Sequence, residues 1–317
     1  MIAFATWGAS YLSRHPENLA ALRNLSPGAV FLLAGLALVK LMAMGMFTWI
    51  NLDALGVHLG FWEWYGLSAM TAMGNYLIAF RGGAAIRGVY LKSKYDLPYA
   101  TFLSTVASLY LLTIPTNALL GFIALQIIYL GLGISQPGLA LLLMAAFAGP
   151  VVFLVLIRRA PRFSGRWTSK LNLVVEGWRL LTAKPLTVIK LVLTSVLNSC
   201  VTVLMIHISF KALGVDLPLI KSGVLGILYL ISAMVPITPA GLGFAETTLV
   251  LASSAFGLDS TINILAAGLH RSVILLVSLV LGPLFTLILS RESGRRLPIF
   301  RSQPVGVETI ENDTMAE

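Results

Sequence analysis

The sequence predicts an all-α polytopic transmembrane bundle with broken or re-entrant helices, of about seven to nine membrane segments. Three observations carry that expectation. Apolar residues make up 57% of the 317-residue chain and charged residues only 11%, with a mean hydropathy of +0.88. A soluble globular chain carries about 25% charged residues, so this one cannot cover itself with a water-compatible surface. The apolar runs are continuous over about 20 residues and do not alternate in segments of about 10, which argues against a β-barrel. Prolines and glycines then interrupt several of those runs. The composition excludes a cytoplasmic enzyme, a secreted domain and a disordered chain.

The chain divides into an N-terminal interfacial segment (1–27), a membrane region (28–290) and a polar C-terminal tail (291–317). Gly28–Ile50 is the first clear span, interrupted by Lys40. Phe61–Phe80 follows and opens on Phe61-Trp62-Glu63-Trp64-Tyr65, aromatic residues of the kind that sit at headgroup level. Pro98–Leu130 is too long for one straight span and contains Pro115. It is either one kinked helix or a re-entrant piece followed by a span. Pro137–Ile157 and Leu186–Phe210 are further spans. Leu217–Val235 leads into Pro236–Glu246 and an apolar stretch to Gly257, and Thr261–Ser290, with Arg271 inside it, closes the membrane part.

The net charge is +9 and the pI about 9.8. The basic residues sit in short loops, where membrane topology and anionic lipid explain them before nucleic acid does. Residues 158–185 hold Arg158, Arg159, Arg162, Arg166, Lys170, Arg179 and Lys184 against the single acid Glu176, which predicts a cytoplasmic loop. Arg81, Arg87, Lys92 and Lys94 place 81–97 inside as well, and Arg291, Arg295, Arg296 and Arg301 do the same for the C-terminus. Residues 51–60, with Asp53 and His58 but no Lys or Arg, suit the outer face. The expected location is the cytoplasmic (inner) membrane with both termini cytoplasmic. Parity closes if 98–130 crosses once and 217–257 an even number of times.

Catalytic patterns are nearly absent, and the expectation is a protein that is not an enzyme, with no cofactor and no metal. His15, His58, His207 and His270 have no metal-ligand spacing, and neither a P-loop, a zinc-protease helix nor a serine elbow is found. Cys200 is alone and makes no intramolecular disulfide. The residues that stand out are polar or helix-breaking at membrane depth. Pro236, Pro239, Gly241 and Gly243, with Thr238 between the prolines, cannot continue a helix, and Glu246 opens the next segment. Backbone freed in hydrocarbon must be buried in protein or line a wet cavity. The bland alternative is an interfacial loop between two hairpin helices. Arg81, Gly83 and Arg87 form a second cluster that could grip a phosphate, although arginines just inside a span are also what topology alone requires. Lys40 and Arg271 each lie deep in an apolar run, where a cation costs about 2.5–3.5 kcal/mol on insertion scales. Glu246 and Glu63 are their candidate partners. His270 and Asn75 read as ordinary interhelical hydrogen-bonders, and Lys190 as a residue that snorkels.

Pro236–Glu246 resembles the proline–glycine–glutamate signature of the lysylphosphatidylglycerol synthase transmembrane (flippase-like) family, with Ala240 where that family usually has glycine. Arg81, Gly83 and Arg87 match its earlier Arg-x-Gly-Glu-x-x-Arg motif, with Ala84 in place of the glutamate, and Arg271 matches an arginine of its last long helix. Ser108-Leu109-Tyr110 stands where relatives often carry a Glu-Arg pair, and a first span is missing or truncated within 1–27. The resemblance implies a membrane domain without the soluble synthase, one that handles a lipid headgroup by flipping it between leaflets.

The implied ligand is an anionic phospholipid or a polyprenyl-phosphate-linked lipid or glycolipid, and the lost charges count against the lysyl lipid itself. Arg81, Arg87 and Arg271 would take the phosphate and Glu246 a cationic or hydroxyl-bearing group. Energy would come from a gradient or mass action. The rival expectation is a non-transporting accessory subunit of a lipid- or glycan-modifying enzyme, and a homo-oligomer fits either reading. A membrane-embedded glycosyl- or acyltransferase is the weakest reading, for want of catalytic acids.

Overall fold

A computed structural model of the chain describes residues 25–78, 82–159, 179, 183–235 and 241–292. Among them are nine α-helices and no strand: α1 (Pro27–Ala54), α2 (Phe61–Leu77), α3 (Gly82–Tyr95), α4 (Tyr99–Leu132), α5 (Pro137–Arg159), α6 (Pro185–Ala212), α7 (Leu219–Ala233), α8 (Phe244–Ser254) and α9 (Ser260–Glu292). Five of them, α1, α4, α5, α6 and α9, are long and apolar enough to cross a membrane. Pro98–Leu130 is one continuous helix through Pro115, settling the alternative left open by the sequence.

The four shorter helices form two hairpins. Gly83 lies against the Thr71 carbonyl and donates its N–H to Asn75 (3.2 Å) near the tip of α2, while Tyr90, Lys94 and Tyr95 reach Glu63 at the other end (2.7–2.8 Å). So α3 runs straight back along α2. Likewise α8 packs on α7 and on α9.

Following the chain fixes the sides. Ser68 donates to the Leu41 carbonyl (2.7 Å), making α2 antiparallel to α1, and Lys184 at the start of α6 donates to the carbonyl of Ala54 at the end of α1 (3.0 Å). The ends of α1, α3 and α9 and the starts of α2, α4 and α6 therefore share one face, called here the near face. Gln136, after α4, donates to the Ala255 carbonyl, after α8 (2.7 Å), and marks the far face. The first hairpin enters from the near face and the second from the far face.

The two hairpins belong to an internal duplication. Long helix, hairpin, long helix (α1–α4) is repeated after α5 as α6–α9. Both α1 and α6 have 28 residues, begin at proline and end at alanine, and each continues into the same turn. Ala54-Leu55-Gly56-Val57-His58-Leu59 corresponds to Ala212-Leu213-Gly214-Val215-Asp216-Leu217. The turns have one geometry: Gly56 and Gly214 sit at φ 83° and 81°, and Val57 and Val215 donate back to Leu52 and Phe210 (2.9 and 3.0 Å). Only a residue without Cβ enters that left-handed region freely. Because the single helix α5 separates the halves, the second runs through the bundle upside down relative to the first. This is an inverted-topology repeat.

The repeat corrects the topology read from the sequence. Residues 51–60 were expected outside and 81–97 inside, on opposite faces; α3 returns along α2, so the turns at 55–60 and 96–98 lie on the same, near face. The expected even crossing of 217–257 is the second hairpin. The described part starts on the far face and ends on the near face. The termini, expected to be cytoplasmic, fall in residues 1–24 and 293–317, which lie outside the described residues, as does most of the basic loop.

Helix contacts are tight where glycine permits. Gly45 faces the Trp64 ring, Gly226 the Val203 backbone and Gly74 the Gly83 backbone, close approaches that let dispersion hold helices together in lipid. Paired polar contacts add to them: Ser108 donates to Asn51 Oδ1 (2.7 Å), and Ser199 to Asn117 Oδ1. Phe61, Trp62, Trp64 and Tyr65 cluster with Phe285 at the near face, as an aromatic interfacial belt should.

Candidate functional site

Halfway along the bundle, between the hairpin tips, lies a cavity of about 190 Å³. It is lined by α1, α2, α4, α6, α7 and α9, three from each half. In the register set by the repeated turn, Lys40 pairs with Asn198, Met44 with Thr202, Asn75 with Ala233, Tyr76 with Met234 and Thr113 with Arg271. All ten residues line the cavity, which therefore sits where the two halves face each other.

Arg271 on α9 is 7% exposed and Glu246 on α8 9% exposed, and their side chains form an ion pair. Glu246 also accepts the Gly243 N–H (2.8 Å), so its carboxylate caps α8 and neutralises the guanidinium together. Gly241 and Gly243 hold φ 69° and 82°, the conformations that turn the chain into this cap. Tyr76, from the tip of the first hairpin, interacts with the Arg271 side chain as well. One arginine thus touches both hairpins.

Lys40 enters from α1 and meets the Thr202 hydroxyl; among the described residues no carboxylate pairs with it. Beside it, His270 is fully buried, stands edge-on to Tyr229 (ring centroids 5.0 Å apart), and neither ring nitrogen has a hydrogen-bond partner. The Ser195 and Thr113 hydroxyls and the Asn198 amide oxygen are buried without partners as well. Buried polar groups are normally satisfied, so a concentration of orphans around one cavity marks a place built for a polar occupant.

The remaining sequence candidates fall elsewhere. Arg87 donates to Thr48 (2.6 Å) and lies over the Phe102 ring (5.5 Å), away from the cavity lining. Gly83 is the close-packing residue of the first hairpin. Glu63 pairs with Lys94 and neither with Lys40 nor Arg271. Arg81, Pro236, Thr238 and Pro239 lie outside the described residues. Asn75 does hydrogen-bond, to Gly83, whereas His270 does not. Span-by-span reading passes over Thr113 on α4 and the Thr194-Ser195 pair and Asn198 on α6; the signal for the α6 residues was a polar stripe, Thr194-Ser195 continued one and two turns later by Asn198 and Thr202.

The family model described as the lysylphosphatidylglycerol synthase transmembrane region matches residues 5–282. The chain belongs to this family. It is also similar to a UPF0104 membrane protein of Methanocaldococcus jannaschii, 26% identical over 121 residues, a stretch covering 38% of this chain and 34% of that protein. The chain therefore matches about a third of that relative's length. With five helices suited to crossing a bilayer, this family member is a multi-pass membrane protein.

Proposed function

We propose that this protein binds a lipid headgroup in the cavity between its two halves and moves it between leaflets. The observation that carries the reading is the position of the cavity: it lies halfway along the bundle, sets a few polar side chains of both halves into a largely apolar wall, and is bounded by the tips of two hairpins entering from opposite faces. Inverted repeats that meet at a central site favour two equivalent arrangements, each open to one side. A headgroup held there while its acyl chains remain in lipid is exposed to each leaflet in turn. Arg271, joined to Glu246 and beside Tyr76, couples the hairpins, so a headgroup that displaces either partner biases both.

The near face is the cytoplasmic one in this reading. It carries Lys92, Lys94, Lys184 and Arg291 together with the ends of the basic loop, against Lys211 and Lys221 at the far face. The protein acts as a carrier and not an enzyme: the carboxylate nearest the cavity, Glu246, is engaged with Arg271 and the α8 cap. The family description names lysylphosphatidylglycerol, but the substrate class here is broader, a phospholipid or a polyprenyl- or glycolipid.

The test is a headgroup-accessibility assay in proteoliposomes with fluorescent phosphatidylglycerol and a fluorescent polyprenyl phosphate. Wild type is expected to move at least one of them, and Glu246→Gln and Arg271→Ala, checked for folding, to abolish movement. Absence of transfer of either lipid by folded wild-type protein overturns the reading in favour of an accessory subunit.

A further inference from the structure

We infer that the inner part of the cavity is an anion subsite, in which a phosphate-class oxyanion sits against the Lys40 ammonium. The inference rests on the headgroup reading for its setting, but its observations are separate. The first is charge. Of the cations at the centre of the bundle, Arg271 is neutralised by Glu246, whereas Lys40 has only the Thr202 hydroxyl. A cation at the bilayer centre is costly, and charges kept there pair with another group. Among the described residues that group is absent for Lys40, so the structure is one negative charge short at the cavity.

The second observation is the set of orphaned polar groups. Thr113 Oγ1, Ser195 Oγ, Asn198 Oδ1 and both nitrogens of His270 are buried without partners on residues that line the cavity Lys40 enters. The two hydroxyls and the one N–H of a neutral imidazole are hydrogen-bond donors. Three such donors on residues that line the same cavity as the ammonium suit a ligand with several acceptor oxygens, as a phosphate or phosphodiester is. A cavity of about 190 Å³ has room for a phosphoryl group and a few waters at roughly 30 Å³ each. A cationic or zwitterionic headgroup would bring an ammonium towards Lys40 and His270 with no free acid to receive it.

The substrate is accordingly a lipid whose headgroup carries net negative charge. Repeat symmetry sharpens the point: Asn198 occupies in the second half the position of Lys40 in the first, so the subsite is one-sided and the charge belongs to α1 alone.

The test is binding, independent of transport. Purified protein in neutral detergent is titrated with short-chain phosphatidylglycerol, short-chain phosphatidylcholine and inorganic phosphate, with Lys40→Gln, Lys40→Arg and Lys190→Gln beside wild type. Wild type is expected to prefer phosphatidylglycerol over phosphatidylcholine. Lys40→Gln should weaken phosphatidylglycerol binding by at least about tenfold, as loss of a charged hydrogen bond does. Lys40→Arg should recover most of it, and Lys190→Gln should match wild type. Saturable, Lys40-dependent binding of phosphate with none of lipid keeps the anion subsite but assigns it to a free anion, overturning the headgroup reading alone. Lys40-dependent lipid binding without translocation in proteoliposomes also keeps the subsite and removes the flipping. Equal affinity for the two lipids, or equal affinity in wild type and a folded Lys40→Gln, overturns the inference even if translocation occurs.

Discussion

Lys40 and Asn198 hold equivalent positions in the two halves of an inverted repeat and face the same cavity, one charged and the other neutral. A lone ammonium at that depth destabilises the resting protein, and its retention is intelligible as a functional compromise. Lys40→Met is therefore expected to raise stability, by about 1–3 kcal/mol, while losing anion binding. Thermal unfolding in detergent checks the sign; a clear drop in melting temperature would assign Lys40 a structural role.

The Glu246–Arg271 pair carries a different expectation. Glu246→Gln leaves a buried guanidinium without its counter-charge and should cost about 3–5 kcal/mol. The double variant Glu246→Gln/Arg271→Met removes both charges and is expected to recover much of that loss. Unfolding of the two single variants and the double variant gives the coupling; additive losses contradict it.

At Gly83 a Cβ would collide with the Thr71 carbonyl, a backbone atom that cannot swing aside. Gly83→Ala should separate the first hairpin and destabilise by about 1–3 kcal/mol. Gly131→Ala is the control, since nothing lies within 4 Å of its added methyl. Size-exclusion profiles and melting temperatures of the two variants are to be compared.

Topology is directly measurable. In a Cys200→Ser background, His58→Cys reports on the near-face turn and Asp216→Cys on its repeat equivalent at the far face. Impermeant maleimide applied to whole cells should label position 216 and spare 58. Labelling of both from the same side contradicts the inverted repeat.

Asp259 accepts the N–H groups of Thr261 and Ile262 (2.7 and 3.4 Å) at the start of α9. The Thr261 bond, then the Ile262 bond, hold its carboxyl below the usual range. A lowered folded value means that the cap contributes in full above the ordinary aspartate value of about 3.9 and is lost as pH falls through the folded one. The stability difference between wild type and Asp259→Ala should be present at pH 7 and vanish in strong acid.

Much of this was legible in the residues themselves. Hydropathy named the long spans because about 20 apolar residues in a row have no other stable setting. The prolines and glycines of 236–243 located a break, and the depth of Lys40 and Arg271 marked them as residues needing an explanation. Glu246 was named as a partner from its place at a helix start. The duplication was also written in the sequence, in Ala54–Leu59 and Ala212–Leu217, but it becomes visible only when the halves are compared.

Tertiary structure decided what the one-dimensional pattern leaves degenerate. A largely apolar stretch of 17 residues such as α2 reads alike as a span or as half of a hairpin; the contacts of Glu63 with Tyr90, Lys94 and Tyr95 choose the hairpin and so put 51–60 on the same face as 96–98. Charge pairing is degenerate in the same way. Glu63 and Glu246 were equal candidates for Lys40 and Arg271, and packing gave Glu63 to Lys94, Glu246 to Arg271 and nothing acidic to Lys40. Hydrophobicity fixes which segments enter the membrane, because transfer free energy is a property of each segment. Which polar groups meet inside depends on how helices distant in sequence are packed, and that belongs to the whole bundle.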